Sequence, residues 1–409
     1  MSRRLAVILV LLATPLGAHT WPTLQNGSFD REIWPWAVDF PTTASVQLVA
    51  DDANRSASSR AAELSINGAA STRSARMFEC VAVDATKLYV FGVRAKLPAD
   101  QAGDLAATLT LTWYANDQCE GKPVSAVSDA LGTGEKGAWR RIDFAPRMTA
   151  SGATHVLFAL SIDRDAVQGP SIRALFDDAY MAVAGEKTIV PAIASIRGAV
   201  NSDWSSDLHL VNRTSTPATV LLMYRCMLGA LCNTRPREFL IPATGSVTFK
   251  DAAAILFESP SSGGAIEVWS SAKPTEVLVT SRLNSRATRG TFGTEIPAVA
   301  PHTFFRRVFP GVRNSLDYRT NLGLYNAELT ATDVRIEVYV DAGLVATRTL
   351  SIAGQTLVQV NAFEGVAATT DNAWLRVVPT AGTIVSFVSV IDNATNDVAY
   401  STGFAEPVP

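Results

Sequence analysis

Residues able to do chemistry are few and scattered in this 409-residue chain. It holds 4 His (His19, His155, His209 and His302) and 4 Cys, with neither a G-x-S-x-G elbow nor an H-E-x-x-H helix. Gly132-Thr133-Gly134-Glu135-Lys136-Gly137 satisfies G-x-G-x-x-G, but a phosphate loop must open a helix. Trp139-Arg140-Arg141-Ile142-Asp143-Phe144 follows and reads as a strand, so a sandwich turn is expected. Asp163-Arg164-Asp165 reads as a charged loop, and Arg282, Arg286 and Arg289 as a solvated basic face. Arg306-Arg307 lies amid Phe304, Phe305 and Phe309, yet 35 Lys and Arg against 38 Asp and Glu leave a formal net charge of −3. That balance argues against nucleic acid. A glycoside hydrolase needs two carboxylates that meet only in the fold, and nothing in the sequence marks such a pair.

The N-terminus carries an address. Arg3 and Arg4 precede the apolar run Leu5 to Ala13, then Thr14-Pro15-Leu16-Gly17-Ala18 supplies a break and small residues. This is the pattern of a secretory leader, with cleavage expected after Ala18. No later stretch reaches the ~20 apolar residues of a membrane span, so a secreted or periplasmic protein is expected. Export makes disulfides the expected state of the cysteines. Cys226 and Cys232 flank a short segment between two strand-like runs and should staple a hairpin, leaving Cys80 to pair with Cys119. Neither spacing suits zinc.

The elements that must position any site are short. Hydrophobic residues are 47% and charged residues 18%, which excludes a disordered chain, and the length predicts two or three modules. Ala106 to Tyr114 sets Leu109, Leu111 and Trp113 on one face and Thr108, Thr110, Thr112 and Tyr114 on the other, a half-buried strand. Similar runs are Leu88–Ala95, His155–Ile162, Val220–Tyr224, Ser246–Phe249, Ile266–Trp269, Val277–Ser281, Val334–Val340, Thr356–Val360, Leu375–Val378 and Ile384–Ile391. Ala252 to Phe257 is the best helical turn. Strands so closely spaced predict an all-β chain of sandwiches.

An internal repeat organises the C-terminal half. Ser206-Asp207-Leu208-His209-Leu210-Val211-Asn212 returns as Thr320-Asn321-Leu322-Gly323-Leu324-Tyr325-Asn326. Val220 to Tyr224 answers Val334 to Tyr339, and Pro242 to Gly245 answers Ile352 to Gln355. Ile266 to Trp269 then answers Trp374 to Val377, and Val279 to Asn284 answers Phe387 to Asn393. Two tandem Ig-like β-sandwich modules are expected, at 186–300 and 301–409. Asn212 and Asn326 should end a strand by bonding backbone in a turn.

Residues 19–185 form the remaining module. Asn26-Gly27-Ser28-Phe29-Asp30 opens it, Trp34-Pro35-Trp36 follows, Met77 to Val83 and Tyr89 to Ala95 read as strands, and Ala174-Leu175-Phe176-Asp177-Asp178-Ala179-Tyr180-Met181 closes it. This ordered set resembles the galactose-binding-like jelly-roll carbohydrate-binding modules. The resemblance implies a jelly-roll β-sandwich and a structural Ca2+ site at Asp30 and Asp178, with Asp177 as the alternative. The competing reading has these acids cap strand ends or pair with Arg173. It also implies sugar binding by exposed rings, for which Trp34, Trp36 and Tyr114 are the candidates, while Trp113 and Trp139 read as core. The resulting expectation is an exported, non-catalytic protein that binds a glycan or cell-surface component. The alternatives are a structural or adhesive surface protein with spacer repeats and a glycoside hydrolase.

Overall fold

The computed structural model of the chain describes residues 24–406 without 40–42, 55–58, 69–72, 102–103, 165–168, 199–201, 231, 288–289, 302–305, 342 and 367–368. The expected leader, 1–18, and His19, Asp165, Arg289, His302, Phe304 and Phe305 lie outside the described residues.

Alternating apolar and hydroxyl-bearing residues fold as strands, and the protein is all-β. Among the described residues ten strands build the first module: β1 (Ala37–Asp39), β2 (Ala44–Val49), β3 (Ala61–Ile66), β4 (Ser74–Ala82), β5 (Leu88–Lys96), β6 (Leu105–Tyr114), β7 (Ser125–Leu131), β8 (Arg140–Met148), β9 (His155–Arg164) and β10 (Ile172–Ala184). They form two antiparallel sheets, ordered β1-β4-β9-β6-β7 and β2-β3-β10-β5-β8. The sheets enclose Phe29, Trp36, Met77, Phe91, Trp113, Phe158 and Phe176, each such side chain contributing about 1.5–3 kcal/mol by burial. The segment 132–137 holds a single 3-10 turn, Thr133–Glu135, leading into β8. It is a sandwich turn, as its context predicted.

The middle module comprises β11 (Lys187–Arg197), β12 (Asp203–Asn212), β13 (Ala218–Cys226), β14 (Arg237–Ile241), β15 (Ser246–Phe249), the short helix α1 (Ala252–Ile255), β16 (Ser262–Ser270), β17 (Val277–Ala287) and β18 (Gly290–Pro297). The last module comprises β19 (Arg306–Asn314), β20 (Tyr318–Asn326), β21 (Thr332–Val340), β22 (Gly343–Ile352), β23 (Leu357–Asn361), β24 (Thr370–Pro379), β25 (Ile384–Asp392), β26 (Val398–Ser401) and β27 (Phe404–Glu406). Pairing runs β14-β13-β16-β11 and β15-β12-β17-β18 in one, and β22-β21-β24-β19 and β23-β20-β25-β26 in the other. The two arrangements correspond strand for strand. In the middle module β11 also pairs β12 through Ser195–Arg197, joining the layers, whereas β19 pairs β27.

Equivalent asparagines pin the repeat. Asn212 Nδ2 donates to the Thr216 and Ile241 carbonyls, and Asn326 Nδ2 to those of Thr330 and Ile352, while Thr214 N and Glu328 N donate to the respective Oδ1 atoms. Both side chains are buried. Register corrects the later repeat pairs by one residue. Leu222 faces Val268 where Ile336 faces Val377, so Ile266 matches Leu375, not Trp374. Val277 faces Asn212 where Ile384 faces Asn326, so Val279 matches Ser386, and the left-handed residues Thr244 and Gln355, both at φ 53°, match each other. Strand residues alternate faces, so a slip of one exchanges core and outer positions; similarity of residue type had concealed it.

The modules pack closely. Val90, Ala182 and Ala184 of the first bury Leu221, Met223 and Trp269 of the middle one. Beside them Arg225 donates to Glu267 Oε2 at 2.7 and 2.9 Å, and Lys187 Nζ reaches Glu267 Oε1 at 2.9 Å and the Ala327 carbonyl of the last module at 3.0 Å. Both expected disulfides are present, Cys80–Cys119 and Cys226–Cys232.

Candidate functional site

Alternation along β6 turns Leu105, Ala107, Leu109, Leu111 and Trp113 into the core and leaves the threonines and Tyr114 half-exposed on the other side. Registers extend that outer face across the sheet. One row runs Ala37, Phe78, Ala159, Thr110, Ser128, the next Asp39, Arg76, Ser161, Thr108, Ala130, and a third Ala82, His155, Tyr114. Arg76 Nη2 pairs with Asp39 at 2.8 Å, and its guanidinium lies 5.3 Å from the Phe78 ring centre. Asp163 accepts from Ser161 Oγ at 2.9 Å and Thr108 Oγ1 at 3.4 Å. The face thus combines hydroxyls, the carboxylates of Asp39 and Asp163 and the Arg76 guanidinium with rings at Phe78 and Tyr114. Such a surface can hydrogen-bond a polyol and pack against its C–H groups.

The two candidate tryptophans separate. Trp34 is 69% exposed, on the loop entering edge strand β1, where Asn26 Nδ2 clamps the Glu32 and Trp34 carbonyls. Trp36 is 5% exposed and packs against Phe29 and edge-on to Phe158, its indole N–H donating to the Gln25 carbonyl. With its ring enclosed and its polar atom satisfied, Trp36 is a core residue and not a ligand platform. Trp113 is core too, while Trp139 is half-buried and donates to Asp51.

The opening and closing motifs meet as the resemblance implies. An added Cβ on Gly27 would collide with the Ala179 carbonyl oxygen, and Ala179 N donates to the Gly27 carbonyl. Only glycine allows that approach. A bulge in β10 between Asp177 and Tyr180, with Asp178 at φ 49°, turns the acids toward the same end. There they meet Arg235 of the middle module. It donates Nη2 to Asp30 Oδ1 at 2.7 Å, Nη1 to Asp30 Oδ2 at 2.8 Å, and Nε to Asp178 Oδ1 at 3.2 Å. Asn54 Nδ2 serves Asp178 Oδ2, while Ala53 N and Asp178 N serve the two Asp177 oxygens. Arg173 pairs instead with Asp100 and Glu63.

Electrostatics follow from this packing. Burial works to raise the Asp30 pKa, but the Arg235 hydrogen bonds and charge prevail and lower it. Asp178 is raised by burial against the opposing pull of Arg235 and Arg94, and Asp177 is raised by burial and then by the neighbouring Asp178 charge. Calcium requires oxygen lone pairs free to converge on it. Here the Arg235 guanidinium, bonded to Asp30 and Asp178 together, takes the position on which their oxygens would converge around a cation, so the residues do not fit the implied ion. Among the described residues no group of three His, Cys, Asp or Glu is set to hold a metal.

Sequence reasoning missed Phe78, Arg76 and Asp39, although alternation along the strand expected at Met77 to Val83 places Phe78 outward, and it read Asp163-Arg164 as part of a charged loop where the structure has them end strand β9. It also missed the last module's outer face, where Tyr339 and Trp374 stack with ring centres 3.7 Å apart beside Glu337 and Arg376.

By fold, the N-terminal module is a sandwich of two antiparallel five-stranded sheets. No family model matches the chain, and no curated protein matches it. Among solved structures, the chain is similar to TmCBM61 in complex with β-1,4-galactotriose (15% identity, 40% of this chain and 98% of that one, TM-score 0.28). It is similar to the CBM22-1–GH10 modules of Clostridium thermocellum xylanase 10B complexed with xylohexaose (17% identity, 42% and 29%, TM-score 0.27). A third is the CBM22-1–CBM22-2 tandem of Paenibacillus barcinonensis Xyn10C (10% identity, 91% and 95%, TM-score 0.27).

Proposed function

We propose that the protein is an exported, non-catalytic binding protein that holds a glycan on the outer face of the sheet ordered β1, β4, β9, β6, β7. The observation carrying this is the outer face on which Thr110 shares a row with Phe78, Thr108 and Ser161 share the next with the Arg76–Asp39 pair, and Tyr114 and His155 stand beyond Thr112 on the other side. The rings offer apolar faces to pyranose C–H groups while the polar side chains orient the hydroxyls. Trp34 stands at the edge of the same sheet. Export is supported by the leader pattern and by two disulfides, which persist in oxidising compartments.

The test is binding of the whole chain to a glycan panel, followed by Phe78→Ala and Tyr114→Ala. Each variant should lose about tenfold in affinity, equivalent to ~1.4 kcal/mol, while melting close to wild type. Wild-type binding to no glycan, or binding indifferent to both substitutions, overturns the reading. A second reading, a structural or adhesive spacer, is supported by the closely packed junction around Glu267, and it gains from a blank panel.

A further inference from the structure

The implied cation position is filled from within the chain. Cys226–Cys232 closes a loop whose next residues, Asn233, Thr234 and Arg235, enter the end of the first module. Thr234 N donates to Asn54 Oδ1, and Arg94 Nη1 donates to the Thr234 hydroxyl and to the Ala53 carbonyl. Asn233 N is held by Ser259 Oγ, and Arg235 N by Asn233 Oδ1. The loop is thus tied to its own module and to the first before the guanidinium is counted. Arg235 then contacts both Asp30 and Asp178, and adds the Ser59 hydroxyl through Nη2 at 2.8 Å. The fork sits on the wall of a cleft of about 760 Å³ that both modules line.

We infer that Arg235 substitutes for a structural cation: a guanidinium supplied by the middle module does for the first module what a bound metal ion would otherwise do. Asp178 and Asp177 are adjacent buried acids, and like charges so placed repel unless a positive group faces them. A planar fork serves Asp30 with two parallel bonds, Asp178 with a third and Ser59 with a fourth, one more than the three donors of a lysine. The first module's closing strand is therefore held by a residue outside that module, and its integrity depends on docking and not on ion supply.

The experiment uses the whole chain, melted in calcium, in magnesium and in EDTA, as wild type and as Arg235→Ala. Wild type should be indifferent to all three. Arg235→Ala should melt roughly 6–12 °C lower, as expected when one partner of a buried ion pair is removed, and calcium should restore part of the loss by binding the freed carboxylates. If calcium raises the wild-type melting temperature, or EDTA lowers it, the inference fails. It fails equally if Arg235→Ala melts like wild type, or melts low with no response to calcium. Should Arg235→Ala not fold, Asp30→Asn decides. A lowered melting temperature without any calcium response agrees with the inference, and one unchanged from wild type overturns it.

Discussion

Trp34 and Trp36 stand two positions apart in one W-P-W segment and face opposite surroundings. Trp36→Ala should cost ~3–5 kcal/mol, the usual penalty for emptying an aromatic core site. Trp34→Ala should stay within about 0.5 kcal/mol, as for an exposed residue. Denaturant titration of the two variants checks the contrast. No periodicity operates in a loop, so residue type alone could not tell these two apart. Tyr114 was legible because it continues the β6 alternation. Glu79 gives a pH prediction at the same scale: its inward-facing carboxyl is pushed up to about 7 by burial, opposed by a hydrogen bond from Gln25 N. A folded pKa above the unfolded value makes the folded state bind protons more readily. The Glu79 contribution is therefore fully present below about 4.5 and is lost as pH rises through about 7. Glu79→Gln should gain in melting temperature relative to wild type as pH goes from 5 to 8. A constant gap across that range contradicts the assignment.

At the scale of elements, strands half-buried by one sheet face were legible, and two of those on an edge, β7 and β22, were not. Leu105–Tyr114 alternates without exception, whereas Ser125–Leu131 and Gly343–Ile352 bury little beyond their ends. Edge strands carry few apolar residues, so the period-2 signal fades where only backbone bonds hold them. Register was less legible than strand order, since Val, Ile and Leu recur on both sides of a slip and only pairing resolves it. The asparagine turns were readable from side-chain chemistry. Their role predicts matched energetics: Asn212→Ala and Asn326→Ala each leave two or more backbone groups unpaired, and each should cost about 1–3 kcal/mol. Denaturant unfolding reads both, and a neutral Asn326→Ala contradicts the equivalence.

In the whole molecule the decisive contacts join residues far apart in sequence. Arg235 and Asp30 are 205 positions apart, and nothing local in either segment announces the other. Glu267, likewise, gave no signal in its strand, yet it gathers Arg225 and Lys187 where three modules meet. Burial alone would raise its pKa, but Arg225 and then Lys187 prevail and hold it at about 2. A folded value below the unfolded one means that this stability is present above about 4.5 and is lost as pH falls toward 2. Glu267→Ala should cost ~3–5 kcal/mol by leaving buried cations unpaired, with the melting temperature and the scattering radius as readouts. A variant as stable and as compact as wild type contradicts that role.

The Asn233–Arg235 loop also bears on how such a chain can be recombined. A jelly roll that completes itself can be excised, fused to another protein or exchanged between architectures as a unit. This one borrows its last polar contacts from its neighbour. Cut after residue 185, it would leave Asp30, Asp177 and Asp178 without Arg235, so the pair of modules is the smallest piece that carries its own contacts. A transplant that keeps the first alone should need a new positive charge at that end, and one that carries the sequence through the last strand of the middle module, at Pro297, brings its own.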